Sequence, residues 1–315
     1  MSDRKGARMG ADRMAAGGEK VAKPTFERFA ENPVITPDMD ARMGRNVNGA
    51  SLIRVPDWLE DPLGTYYLYF AHHQGSYLRL AYADDLTGPW QLYEPGVLDL
   101  ADSHFQRHIA SPDVHVDEGE RRIRMYYHGV LEQGQMSRLA LSTDGLRFTA
   151  RPEILGPSYF RVFSWDGWHY ALAMPGVLYR SRDGLGGFEA RGSTLFSQNI
   201  RHSALRLVED VLYVYYSNAF DCPERILLSK IELTEEWEDW KDSEPELVLQ
   251  PELEYEGANL DLVPSRRGSV TNRVRQLRDP CIYEEGGRTY LFYSVAGESG
   301  IAGAVADTAA EAEGR

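Results

Sequence analysis

A three-strand unit recurs five times along this chain, and a repeat of that size restricts the fold to a stacked or radial array. Each unit has a short lead segment, a tight turn, an aromatic strand, and a third strand that closes in another turn. The aromatic strands fall at residues 66–70, 123–127, 168–172, 212–216 and 289–293, and their β-branched and aromatic content reads as sheet. Turn signals precede them at 62–64, 117–119, 165–167, 209–210 and 285–287, rich in Gly, Asp and Glu as hairpins require. The third strands fall at 78–82, 138–142, 177–181, 226–230 and 301–305. No helical apolar pattern lies between the units. An all-β, five-bladed β-propeller accounts for the repeated order of turns, which a two-sheet sandwich does not.

A ring of this kind lets a chain of 315 residues form one domain, because each blade buries its faces against its neighbours. Residues 1–24 carry no periodicity and read as an unstructured tail. Residues 25–315 read as the propeller, with an insertion at about 251–276 between units four and five. The formal charge of −14 would repel a phosphate backbone, which argues against nucleic acid as a partner. No apolar run is long enough for a membrane span, and the first residues lack the apolar core of a secretory signal, so a cytoplasmic protein is expected. Cys222 and Cys281 lie in strand-like contexts with no metal-type spacing and are expected to be buried thiols.

The lead segments are the innermost strands of the blades, and their first residues should point into the central funnel. They begin Asn48-Gly49-Ala50, Ser111-Pro112-Asp113, Tyr159-Phe160-Arg161, Arg201-His202-Ser203 and Arg278-Asp279-Pro280. This arrangement, over roughly residues 45–307, resembles the five-bladed propeller glycosidases, a group that includes families 32, 43, 117 and 130. Ala110-Ser111-Pro112-Asp113-Val114 is similar to the second-blade motif of family 43, and that resemblance implies that Asp113 orients the sugar and tunes the acid. Where family 43 carries a first-blade Asp as base, this chain has Asn48; where it carries a fourth-blade Glu as acid, this chain has His202. Family 117 provides a precedent for a His acid. Arg278-Asp279-Pro280 resembles motifs of families 32 and 130, found there at other blade positions.

The expected function is therefore a glycoside hydrolase-like enzyme acting by acid/base catalysis on a small carbohydrate in the funnel. Asp113, His202, Asp279 and Glu256 are the catalytic candidates, with Glu256 delivered by the insertion. Asn48, His73, His108, Arg161, Arg201, Arg278 and Glu298 are candidates for substrate binding. With Arg107, three of these arginines head lead segments and suggest either an anionic substrate group or neutralisation of hub carboxylates. Histidines cluster at the funnel ends of strands. His73, His128 and His202 could together hold a divalent cation, calcium or a transition metal, although their spacing matches no metal signature. The alternatives are a metal-assisted or phosphorolytic carbohydrate enzyme on the same scaffold and a non-catalytic carbohydrate-binding propeller. Composition leaves open whether copies of the chain associate.

Overall fold

The computed structural model describes residues 24–307, so nearly all of the segment read as a tail lies outside the described residues. Each repeat forms one antiparallel sheet whose strands run outward from a central axis in chain order. Blade one contains Asn48–Arg54, Tyr66–Ala71, Tyr77–Ala83 and Gln91–Leu92. Blade two contains Ile109–Asp117, Arg122–Leu131, Gly134–Ser142 and Thr149–Ala150, and blade three Arg161–Trp165, Trp168–Ala173, Val177–Ser181 and Glu189–Thr194. Blade four contains Ile200–Val208, Val211–Asn218, Ile226–Glu232 and Glu246–Leu249. Blade five is assembled from both ends of the described chain: Arg278–Glu285, Arg288–Ser294 and Ile301–Asp307 are completed by Glu27–Arg28. That outermost pairing closes the ring, and the repeat pattern gave no sign of it. Among the described residues no helix is long and apolar enough to cross a membrane.

Why the aromatic strands read as unbroken apolar runs is clear from their neighbours. Successive side chains of a strand point to opposite faces, and here both faces are covered. Tyr67 and Tyr69 enter the apolar cluster between blades one and two, while Tyr66, Leu68 and Phe70 enter the one between blades five and one. Blade four repeats the division: Tyr213 and Tyr215 face blade five, and Leu212, Val214 and Tyr216 face blade three. A smaller cluster around Tyr126, Phe160 and Ala171 joins blades two and three. Each fully buried side chain of this size contributes about 1.5–3 kcal/mol, so the blade interfaces form the core.

The thiols divide differently from the sequence expectation. Cys281 is buried on the inner strand of blade five, whereas Cys222 is exposed in the turn before the third strand of blade four. Burial pushes the Cys281 thiol up to about 12. Since the thiolate is the reactive species, iodoacetamide is expected to modify native protein at Cys222 and to reach Cys281 only after unfolding. Peptide mass mapping checks this, and early modification of Cys281 would contradict the packing.

Candidate functional site

The funnel end of the hub is built by a shared irregularity. In blades one, two, four and five the ladder between the inner strand and its neighbour shifts register just after the strand begins, between Asn48 and Ser51, Ala110 and Asp113, Ile200 and Ser203, and Arg278 and Cys281. A bulge of this kind re-aims one side chain. Those re-aimed positions include Gly49, Ser111, His202 and Asp279, and Tyr159 occupies the equivalent place ahead of the inner strand of blade three. Gly49, Ser111, Tyr159 and Asp279 all have φ between 47° and 66°. For residues other than glycine such a conformation costs about 1–3 kcal/mol each and is found mainly at functional sites. At Gly49 a Cβ would stand 3.1 Å from the Ser111 backbone, so a side chain there would be both strained and crowded.

Three of these residues form a chain of contacts. His202 Nδ1 lies 2.7 Å from Asp279 Oδ1, and His202 Nε2 lies 2.8 Å from the Tyr159 hydroxyl. The Tyr159 ring is held between the imidazoles of His128 and His202, with centroids at 4.5 and 4.6 Å. Ser294 Oγ donates to the other Asp279 oxygen at 3.3 Å. Burial alone would raise the Asp279 pKa, but the adjacent His202 and Arg201 outweigh it and hold the carboxyl down to about 2. Burial also lowers His202, against the pull of Asp279. With its proton on Nδ1, beside the Asp279 carboxylate, a neutral His202 has Nε2 free to accept from the Tyr159 hydroxyl; the Nδ1–Oδ1 approach itself is a close contact without hydrogen-bond geometry.

Beside this chain lies a buried ionic cluster. Arg278 is 0% exposed; its Nε is 3.1 Å from Glu224 Oε2, its Nη1 2.7 Å from Glu298 Oε1, and its Nη2 donates to Gln276 Oε1 at 2.6 Å. Arg201 Nη1 meets both oxygens of Glu224, and Ser217 Oγ also donates to Glu224 at 2.8 Å. Glu298 is approached by His73 Nδ1 at 3.3 Å and accepts from the Asn46 amide. Burial raises the Glu298 pKa, but hydrogen bonding to His73 and the charges of His73 and Arg278 bring it down to about 2. Carbonyls of the 251–276 insertion roof the cluster: Arg201 donates to Arg266 and Gly268, and Arg278 to Gly268.

Depressed carboxyl pKa values fix the sign of the acid response. Asp279 and Glu298 start from ordinary values of 3.8 and 4.5 and fall to about 2 in the folded protein. Their stabilisation is therefore complete above about pH 5 and is lost as pH falls from about 5 towards 2. Thermal melts across that window are expected to show a steep drop for wild type and a shallower one for Glu298→Gln, which starts lower; parallel curves would contradict the assignment.

The candidates read from sequence thus separate into groups. His202, Asp279, Asn48, His73, Arg201, Arg278 and Glu298 are brought to the funnel end. Asp113 is not brought to His202: it lies past the bulge, where it accepts from the Val162 amide at 2.8 Å and meets His115 Nε2 at 2.8 Å. There it lines a cavity of about 230 Å³ with Ala50, Leu52, Ala204 and Cys281, further down the axis. Arg161 lies between the two regions, donating to the Ser111, Pro112 and Ser203 carbonyls and thereby tying blades two, three and four together. Glu256 stands apart from the funnel. It accepts from Arg28 at 2.7 Å, from the Tyr293 hydroxyl at 2.9 Å and from the Glu252 and Leu253 amides, so it pins the closing strand of the ring.

The arginines heading the lead segments serve mainly protein groups, with Arg161 Nη2 left buried and without a hydrogen-bond partner. Arg201 and Arg278 neutralise hub carboxylates, Arg161 caps carbonyls, and Arg107 is exposed. Of the three histidines considered for a cation, His202 has its Nε2 at the Tyr159 hydroxyl and its Nδ1 against Asp279, while both ring nitrogens of His128 are without a hydrogen-bond partner. Among the described residues no group of three or more His, Cys, Asp or Glu has a geometry suited to a metal ion. Glu224 and Tyr159 are site residues that sequence reasoning passed over. Blades four and five both follow their aromatic strand with Tyr-Ser, a turn and a Glu (Tyr216-Ser217 to Glu224, Tyr293-Ser294 to Glu298), and that parallel was the available signal for Glu224.

Fold and hub together define a five-bladed propeller of the kind found among family 43 glycoside hydrolases. Solved structures with this fold include a putative glycoside hydrolase from Parabacteroides distasonis, with a TM-score of 0.66 and 14% identity over 91% of this chain and 97% of that one. Another, from Bacteroides ovatus, has a TM-score of 0.64 and 14% identity, covering 92% and 98% of the two chains. CoXyl43, a GH43 β-xylosidase/α-arabinofuranosidase from a compost microbial metagenome solved with xylotriose, has a TM-score of 0.61 and 11% identity over 90% and 95%. At these identities the likeness is one of fold. No protein-family model matches the chain. Uncharacterized protein R118 of Acanthamoeba polyphaga mimivirus is 37% identical over 320 aligned positions, 88% of this chain and 89% of that protein, and the chain belongs to the same family.

Proposed function

We propose that this protein is a glycoside hydrolase-like enzyme that acts on a small carbohydrate at the funnel end of its hub. The observation that carries the reading is His202, held at 2.7 Å by Asp279 and at 2.8 Å by the Tyr159 hydroxyl. A buried base oriented by a carboxylate and touching a third proton-bearing group is the arrangement acid/base catalysis needs. Three conformationally strained residues in the same ring support it. The fold, shared with proteins described as glycoside hydrolases, makes a glycosidic substrate the natural choice among reaction classes.

Substrate chemistry is supported by polar atoms beside the relay that have no protein partner. These include Asn48 Oδ1, Ser111 Oγ, His108 Nε2 and both ring nitrogens of His128, and among the cationic groups Arg161 Nη2, all buried. Burial lowers the His108 pKa to about 4, with His73 and His72 adding to the effect, and burial likewise holds His128 well below the ordinary histidine value. Uncharged imidazoles each offer one donor and one acceptor, which suits hydroxyl groups rather than anions. Pairing of Arg201 and Arg278 with Glu224 and Glu298 likewise argues against a phosphorolytic reaction, which would need free cationic donors.

A panel of aryl glycosides covering pyranoses, furanoses and uronic acids, assayed with and without divalent ions, tests the reading. Release from a neutral glycone without any metal requirement is expected. Silence across the panel, with sugar binding in calorimetry, would favour a carbohydrate-binding propeller. Turnover that requires an added transition metal would favour the metal-assisted alternative.

A further inference from the structure

We propose that Tyr159 is the nucleophile of this site, with His202 as its base and Asp279 as the carboxylate that orients the base. The inference rests on the glycosidase reading and goes beyond it by naming the atom that attacks. Its ground is geometric: the Tyr159 hydroxyl lies 2.8 Å from His202 Nε2, and His202 Nδ1 lies 2.7 Å from an Asp279 oxygen, the succession by which a weakly acidic hydroxyl is activated in covalent catalysis; burial pushes the Tyr159 hydroxyl up, so it needs that base. The hub carboxylates are committed elsewhere. Glu224 and Glu298 are locked to Arg201 and Arg278, and Asp279 faces His202. The tyrosine ring is fixed between two imidazoles, and its backbone is held at φ 64°, a conformation unusual for a bulky residue. Both features hold the hydroxyl at one place on the hub. A tyrosine nucleophile has chemical precedent in sialidases.

In the first step the Tyr159 oxygen bonds to the anomeric carbon as the bond from that carbon to the departing oxygen breaks. The phenolic proton passes to His202 Nε2, giving an imidazolium opposite the Asp279 carboxylate, and the departing oxygen takes a proton from solvent. In the second step water bonds to the anomeric carbon and the bond to tyrosine breaks. The tyrosine oxygen regains its proton from His202, and the proton lost by water returns to solvent. Two displacements at one carbon retain its configuration.

Wild-type protein, Tyr159→Phe and His202→Asn are incubated with 2-fluoro glycosides carrying a dinitrophenyl leaving group, over the same range of glycones, and analysed by intact and peptide mass. Wild type is expected to gain one fluoroglycosyl group on the peptide holding Tyr159, and both variants, with melting temperatures near wild type, are expected to gain none. Hydrolysis by Tyr159→Phe is expected to show kcat lowered ~100-fold or more, with KM little changed. Labelling of a carboxylate, inversion at the anomeric carbon, or wild-type kcat in Tyr159→Phe would overturn the role of Tyr159 and leave the glycosidase reading standing. Neither label nor turnover with any glycone would overturn both.

Discussion

Replacing Arg278 by Met is expected to lower the free energy of unfolding by about 3–5 kcal/mol, among the largest losses of any single substitution in this protein. The guanidinium serves Glu224 and Glu298 together, both essentially without solvent. Glu224 keeps Arg201 when Arg278 is removed, but Glu298 keeps only His73 and Asn46. An uncompensated buried carboxylate, rather than a lost attraction, is therefore the main cost. The double variant is therefore expected to be non-additive: adding Glu298→Gln to Arg278→Met should restore part of the loss. Urea denaturation of the single and double variants checks both statements. A loss below about 1 kcal/mol for Arg278→Met, the value of an exposed pair, would contradict the described burial.

Asp279→Asn is expected to reduce kcat by roughly 10²–10⁴-fold while leaving the fold intact. An amide placed 2.7 Å from His202 Nδ1 would no longer favour the tautomer with its proton on that nitrogen. With the proton on Nε2 the imidazole cannot accept from Tyr159, and an imidazolium formed during the reaction loses its counter-charge. The effect should fall on kcat more than on KM, since Asp279 acts through His202. A kcat within about threefold of wild type, well short of a general-base contribution, would remove Asp279 from the chemistry.

Much of the architecture was legible because the aromatic strands of a propeller are buried on both faces and read as short apolar runs between turn residues. Tyr66 to Phe70 and Leu212 to Tyr216 show this directly. The closing strand Glu27–Arg28 was illegible for the opposite reason: two residues held by Val305 and Ala304, at the far end of the described chain, carry no local periodicity. Within the site, His202 and Asp279 were visible as polar residues heading inner strands. Asp113 joined them through the resemblance of Ala110-Ser111-Pro112-Asp113-Val114 to a family 43 motif, yet it lies past the register shift, on the far side of the Arg161 side chain from His202. Glu256 looked free in a polar loop, and only the tertiary fold shows Arg28 and Tyr293 holding it. Tyr159 was hidden by type, since an aromatic residue at a strand end reads first as core. Whether an arginine faces a ligand or a carboxylate depends on the partner across the hub, which is why Arg201 and Arg278 stayed ambiguous until Glu224 was placed.

The proposed chemistry belongs to the funnel end of the hub and not to the cavity lined by Asp113. Side-by-side turnover of Asp279→Asn and Asp113→Asn, matched for melting temperature and assayed on the same aryl glycoside, tests it most directly. Asp279→Asn is expected to be nearly inactive and Asp113→Asn to retain most of its kcat. An inactive Asp113→Asn beside an active Asp279→Asn would instead place the chemistry with Asp113 and His115.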